Sequence, residues 1–133
     1  MGENDEETIG HFLKCIEADP NNIKAYIQIG IIYLKNKNLD KSLNYLSKAY
    51  DIDQKNILCL TALGNVYQEK KDLDKAEGYL KKAYHLDHGN VNTLCCYGDV
   101  LFSLGKYEDA IKKYEKALKI KEIADVHFNL AHC

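Results

Sequence analysis

Arginine is missing from this chain: all 18 basic residues are lysine. Guanidinium forks are the preferred bidentate partners of phosphate, guanine and carboxylate. Their absence weighs against nucleic-acid reading, although codon usage in an AT-rich genome explains it equally well. Tryptophan is also missing, and Pro20 is the only proline. So few breakers suit helices joined by short turns. No apolar run approaches the length that spans a bilayer. The five cysteines form no CxxC, and residues 1–8 are polar and acidic, unlike a secretory leader. The opening MGENDE begins like a myristoylation site but carries Glu6 where Ser or Thr is needed. These points lead to the expectation of a reducing, cytoplasmic compartment. A net charge of −2 points to neither nucleic acid nor an anionic membrane as partner. What is present, 46% hydrophobic and 29% charged residues in 133, suits one globular domain with a real core.

A single period organises the sequence. Gly30, Gly64 and Gly98 are spaced by 34 residues. Four other columns keep that interval: Ser42, Ala76 and Ala110; Ala49, Ala83 and Ala117; Asn22, Asn56 and Asn90; Asp19, Asp53 and Asp87. Five columns at one period define an internal repeat. The asparagines stand where an N-cap accepts the first free amides of a helix. A helix A is predicted near 23–36, 57–70 and 91–104, and a helix B near 39–52, 73–86 and 107–120, joined by NKN, KKD and GK turns. Apolar residues recur at three- and four-residue steps, as in Leu60, Leu63 and Tyr67. Turns this short force each pair antiparallel. The small columns then mark close approach: Gly64 is expected to face Ala76 and Ala83. A glycine inside a helix costs roughly 1 kcal/mol against alanine, so its recurrence implies a packing demand.

The pattern resembles the tetratricopeptide repeat, W-x2-L-G-x2-Y then A-x3-F then P. The first unit reads Tyr26-x2-Ile29-Gly30-x2-Tyr33, then Ser42-x3-Leu46. The second reads Leu60-x2-Leu63-Gly64-x2-Tyr67, then Ala76-x3-Leu80; the third reads Leu94-x2-Tyr97-Gly98-x2-Leu101, then Ala110-x3-Tyr114. Gln54, His88 and Glu122 stand where the signature has proline. The resemblance implies an all-α, right-handed superhelical solenoid of antiparallel helix pairs. It divides the single domain into a lone helix B at 5–20, repeats at 23–56, 57–90 and 91–123, and the start of a further repeat at 124–133. In the lone helix Thr8, Phe12 and Cys15 take the small, aromatic and small places. His127, Leu130 and Ala131 resemble a fourth helix A that arrives one residue early.

No catalytic, cofactor or metal motif accompanies this pattern. The histidines are scattered, and there is no P-loop or dinucleotide glycine run. Cys95 and Cys96, with His127 and His132 on the next helix, permit a metal or redox reading. Adjacent helical residues point about 100° apart, however, which favours structural cysteine. Helix B lysines such as Lys75, Lys82, Lys113 and Lys116 are read as a solvated outer face. The resemblance instead implies a groove lined by helix A. Its candidate residues are Ile27, Ile31 and Leu34; Leu58, Thr61, Ala62 and Asn65; and Cys95, Cys96, Asp99 and Phe102. Lys24, Gln28, Gln68, Asn92, Phe128 and Asn129 lie beside them. Ile27, Ile31 and Phe102 stand at angles the fold itself does not require, so they are ligand anchors or lie under a neighbouring repeat. The expected function is a protein–protein interaction module holding a peptide or partner helix, with no enzyme activity and no cofactor. A self-assembling structural spacer is the alternative, with the unpaired terminal helices meeting between copies. The chaperone-tail carboxylate clamp of some family members is not matched. Ile27 and Ile31, or Thr61 and Asn65, hold the places of its first lysine and asparagine. Asn92 and Cys96, or Asp125 and Asn129, hold its later basic places, and only Asn65 and Asn129 match in residue type.

Overall fold

The computed structural model describes the backbone of residues 2–132 and the side chains of residues 2–122 other than Glu3. Seven helices and no strand are present among them: α1 (Glu3–Ala18), α2 (Ile23–Lys35), α3 (Leu39–Ile52), α4 (Ile57–Glu69), α5 (Leu73–Leu86), α6 (Val91–Ser103) and α7 (Tyr107–His132). None of the described helices is long and apolar enough to cross a membrane. Helices α2, α4 and α6 are the A helices, and α3, α5 and α7 are their B partners. The A helices pack side by side, α2 on α4 and α4 on α6. Each of α3 and α5 wedges between its own A helix and the next.

Local chemistry places the boundaries from the end of α1 to the end of α6. Asn22, Asn56 and Asn90 cap the A helices, each accepting from the amide three residues on. Asn38 and Asp72 do the same for α3 and α5. The A-to-B turn is a Schellman closure whose left-handed residue recurs at Lys37, Lys71 and Gly105, with φ of 64°, 67° and 81°. The Lys71 amide donates to the Gln68 carbonyl at 3.0 Å and the Asp72 amide to Tyr67 at 2.9 Å. The B-to-A turn explains the aspartate column. Asp19, Asp53 and Asp87 end their helices and accept from the amides of Asn21, Lys55 and Gly89 through the side chain, at 3.1, 2.9 and 3.0 Å.

That punctuation then stops. One period after Asp87 and Asn90 stand Lys121 and Ala124, both helix formers. Accordingly α7 does not break near 120 as expected but continues to His132. The side chains of Phe128, Asn129, Leu130, His127, His132 and Cys133 lie outside the described residues.

The glycine column has a different partner from the one expected. A Cβ on Gly30 or Gly64 would lie 2.6 Å from Cγ of Leu46 or Leu80, and one on Gly98 would lie 2.8 Å from the Tyr114 ring. The large residue of helix B, not the alanines, therefore seats itself over the bare glycine backbone. The small column lies beside it: Ser42 Oγ donates to the Gly30 carbonyl at 2.6 Å. Leu46 and Leu80 are completely buried as a result.

Candidate functional site

Consecutive repeats are joined by different chemistry on each face, which determines what remains for a ligand. Across the interior, Cys59 Sγ donates to the Leu46 carbonyl at 3.4 Å, and the Thr61 and Thr93 hydroxyls meet at 2.9 Å between α4 and α6. Burial pushes the Cys59 thiol up to about 12, with the nearby Asp53 charge adding to the effect. Along the B helices, Lys82 Nζ donates to Tyr50 Oη at 2.9 Å, and Lys116 Nζ to Tyr84 Oη at 3.4 Å. Tyr50 meets Tyr79 edge-on at 5.8 Å, and Tyr79 stacks on Tyr67 at 5.6 Å. Several lysines expected on a solvated outer face thus lean over tyrosine rings, Lys113 at 4.2 Å from Tyr84. At the turns, Lys70 pairs with Asp40 at 3.0 Å and Lys106 with Glu77 at 3.0 Å.

The A face carries lighter links, the Thr61–Thr93 pair and the Asn65 hydrogen bond to Cys96, and leaves a hollow between its helices. A cleft of about 180 Å³ runs across it. Ile31 and Leu34 of α2 form one wall; Leu58, Thr61, Ala62 and Asn65 of α4 form the floor; Asn92 and Cys96 of α6 close the far side. Seven of these eight belong to the candidate set, and Asn92 stood beside it. Leu58 is the open hydrophobe of the cleft at 45% exposure. A larger hollow of about 480 Å³ lies over the α2–α3 turn, lined by Asn36, Lys37, Asn38, Asp40 and neighbouring residues. Its walls are turn residues already used in caps and in the Lys70–Asp40 pair.

The structure divides the remaining candidates. Ile27 is 2% exposed and packs in the core against α4 residues Cys59, Ala62, Leu63 and Val66. It is therefore not an available anchor; the next helix A covers it. Cys95 occupies the same repeat place and turns toward α7, away from the cleft, while Cys96 faces into it. Asp99 accepts a short hydrogen bond from Tyr114 Oη, so its carboxylate is already engaged. Burial and that carboxylate push the Tyr114 phenol up to about 12. Phe102 is 58% exposed but lies beyond the cleft, edge-on to Tyr107 at 5.1 Å.

The electrostatics of the cleft are neutral. None of its lining residues is charged. Burial raises the Cys96 thiol, which Asn65 partly offsets by hydrogen bonding. A thiol held protonated is a poor nucleophile and a poor metal ligand. Among the described residues no three His, Cys, Asp or Glu side chains gather in a way that could hold a metal. The cleft therefore offers apolar contact, amide groups and shape, and no group placed for covalent chemistry.

An all-helical stack of two-helix repeats with an open A-helix face defines a solenoid scaffold. The sequence matches the family model described as "Tetratricopeptide repeat" over residues 21–88 and the one described as "TPR repeat" over 98–132. The chain belongs to the tetratricopeptide repeat family. No curated protein matches the sequence significantly. Among solved structures, the crystal structure of MamA is similar at 25% identity, with 86% of this chain and 67% of that one covered and a TM-score of 0.74. MamA 41-end from Desulfovibrio magneticus RS-1 is similar at 20% identity, covering 92% and 69% of the two chains with a TM-score of 0.78. The MamA RS-1 ArsTM double mutant gives 19% identity, 93% and 70% coverage and a TM-score of 0.79. The latter two likenesses speak to the fold alone.

Proposed function

We propose that this chain is a protein-binding scaffold whose repeats at 23–56, 57–90 and 91–123 hold an extended peptide or a partner helix across the A face. The observation that carries the reading is the neutral cleft, where exposed Leu58 sits between Ile31, Leu34 and the amides of Asn65 and Asn92. An apolar ligand side chain fits beside Leu58 and Leu34. Asn65 both donates and accepts, and so suits a peptide backbone irrespective of sequence. A terminal carboxylate would find no cation there, and burying it unpaired costs several kcal/mol. Ligands are therefore neutral or apolar at the contact. The scaffold works without cofactor or catalysis, in a reducing cytoplasm that keeps Cys15, Cys59, Cys95 and Cys96 as free thiols.

The test is to select binders from a displayed library of random peptides and to measure them by calorimetry against Leu58→Ala, Asn65→Ala, Lys82→Ala and Lys113→Ala. Loss of about 1–2 kcal/mol in the first two alone is expected. Loss confined to the two lysine variants would move the working surface to the B helices and end the cleft reading.

A further inference from the structure

A separate apolar pocket of about 360 Å³ lies between α6 and α7, lined by Val91, Cys95, Tyr114, Ala117 and Leu118, with Lys121 at its rim. It shares no residue with the A-face cleft. Two periods earlier the same five places hold Ile23, Ile27, Leu46, Ala49 and Tyr50. All five belong to the core and pack with Cys59, Ala62, Leu63 and Val66 of α4. One period earlier Thr61 bonds Thr93 of α6, while Leu80 and Tyr84 cluster with Tyr97 and Val100 of α6. In both earlier repeats, then, these places form the seat on which the following helix A lies. At the third, α7 packs on α6 alone among the described helices, and Leu118 is 61% exposed.

The local sequence also explains why the chain's own next residues leave the seat. Asp53 with Asn56, and Asp87 with Asn90, turn the chain back onto the two earlier seats. Lys121 and Ala124 replace that pair, and α7 runs on to His132.

We infer that this third seat docks one amphipathic helix from another protein, with small or apolar side chains at i, i+3, i+4 and i+7 and an acidic first turn. The first requirement copies the two occupants on view: Cys59, Ala62, Leu63, Val66 in one and Thr93, Cys96, Tyr97, Val100 in the other. The interface is the direct continuation of those two. The second requirement follows from charge. A docked helix A begins where the preceding helix B reaches positions 119–121, and its N-terminus carries partial positive charge. The earlier seats offer Asp53 and Asp87 there; this one offers Lys121 beside Lys119, both exposed and in no ion pair among the described residues. Acidic side chains in the first turn of the incoming helix resolve the repulsion.

The probe is a synthetic peptide of residues 57–69 carrying Cys59→Ala and two leading glutamates, labelled with a fluorophore and titrated with the full chain. Saturable binding is expected, weakened at least about tenfold by Leu118→Glu and unchanged by Lys82→Ala on the B face. Because Leu118 is exposed, that variant keeps the parent's circular dichroism spectrum and melt. A peptide led by two lysines should bind several-fold more weakly at low salt. Absence of saturation at millimolar peptide, or equal binding by Leu118→Glu, overturns the proposal; equal binding of the lysine-led peptide overturns its charge requirement. Two other occupants are read in the free chain. Concentration-dependent sedimentation abolished by Leu118→Glu would place a second copy in the seat. Methyl cross-relaxation between Leu118 or Val91 and Leu130 would place the chain's own residues there. Either result overturns docking of a foreign helix.

Discussion

At the scale of single residues, two buried positions carry sharp energetic consequences. Gly64 has no room for a methyl group, since its Cβ would meet Leu80 Cγ at 2.6 Å. Leu80 is fully buried and has little freedom to retreat. Gly64→Ala therefore costs stability by about 1–3 kcal/mol in denaturant melts, despite alanine's better helix propensity. A gain in stability would mean that the two helices can part without loss. Cys59 provides a pH signature. Its folded thiol titrates at about 12 against an ordinary value of 9.0. The unfolded chain thus releases this proton first. The stabilisation is whole below pH 9 and drains away as pH climbs from 9.0 toward about 12. Melts of Cys59→Ala should lose less stability across that window than the parent does. Parallel pH profiles would refute the assignment.

Helices and their junctions show which parts of the molecule were legible in the sequence. Helix starts were readable because Asn22, Asn56 and Asn90 announce a cap by chemistry alone, and each accepts its predicted amide. The glycine partner was not readable. Periodicity tells that a position is small but not which side chain crosses it, and the crossing residue is Leu80. Ile27 was misplaced for a related reason: whether a helix face is open depends on the neighbouring repeat, which covers it with α4. The end of the third helix B was misread because a two-residue change, Lys121 and Ala124 in place of Asp and Asn, outweighs a weak helix A pattern downstream. The family resemblance together with helical angle selects Ile31, Leu34, Leu58 and Asn65, and the structure brings these four to one cleft.

Two tests belong to these junctions. Thr61 and Thr93 satisfy each other in the buried contact of α4 with α6. Thr93→Val strands the Thr61 hydroxyl and should cost about 1–3 kcal/mol, whereas the double change to valine should recover much of that loss. Additive losses would show that the pair is not coupled. The second concerns the turn between α4 and α5, where Lys71 is held at φ 67°. The equivalent place in the third repeat is already glycine, Gly105. Lys71→Gly should raise stability by roughly 0.5–1 kcal/mol by relieving the left-handed strain of a side chain. A midpoint that falls instead would show that glycine's unfolded-state entropy outweighs the strain.

For the whole molecule, what matters is that, among the described residues, every helix touches only its own partner and the adjoining repeat. Cohesion is consequently the same kind of short-range term repeated along one axis. The inter-repeat ion pairs Lys70–Asp40 and Lys106–Glu77 sit at the exposed turns and add little to it. Among the described residues, no distant strand or helix locks the first repeat to the last.

A body held together only by neighbours is an elastic coil under load. Tension applied to its two ends has no long-range clamp to rupture, so it peels the stack one helix pair at a time. A repeat of 34 residues releases roughly 110–120 Å of extended chain. Optical-tweezers traces should accordingly show a staircase of low-force steps near that length, with ready refolding on relaxation. A single tall rupture that frees the entire chain would contradict it. A stack of this kind yields gradually when its ends are strained, and re-forms when the strain is gone.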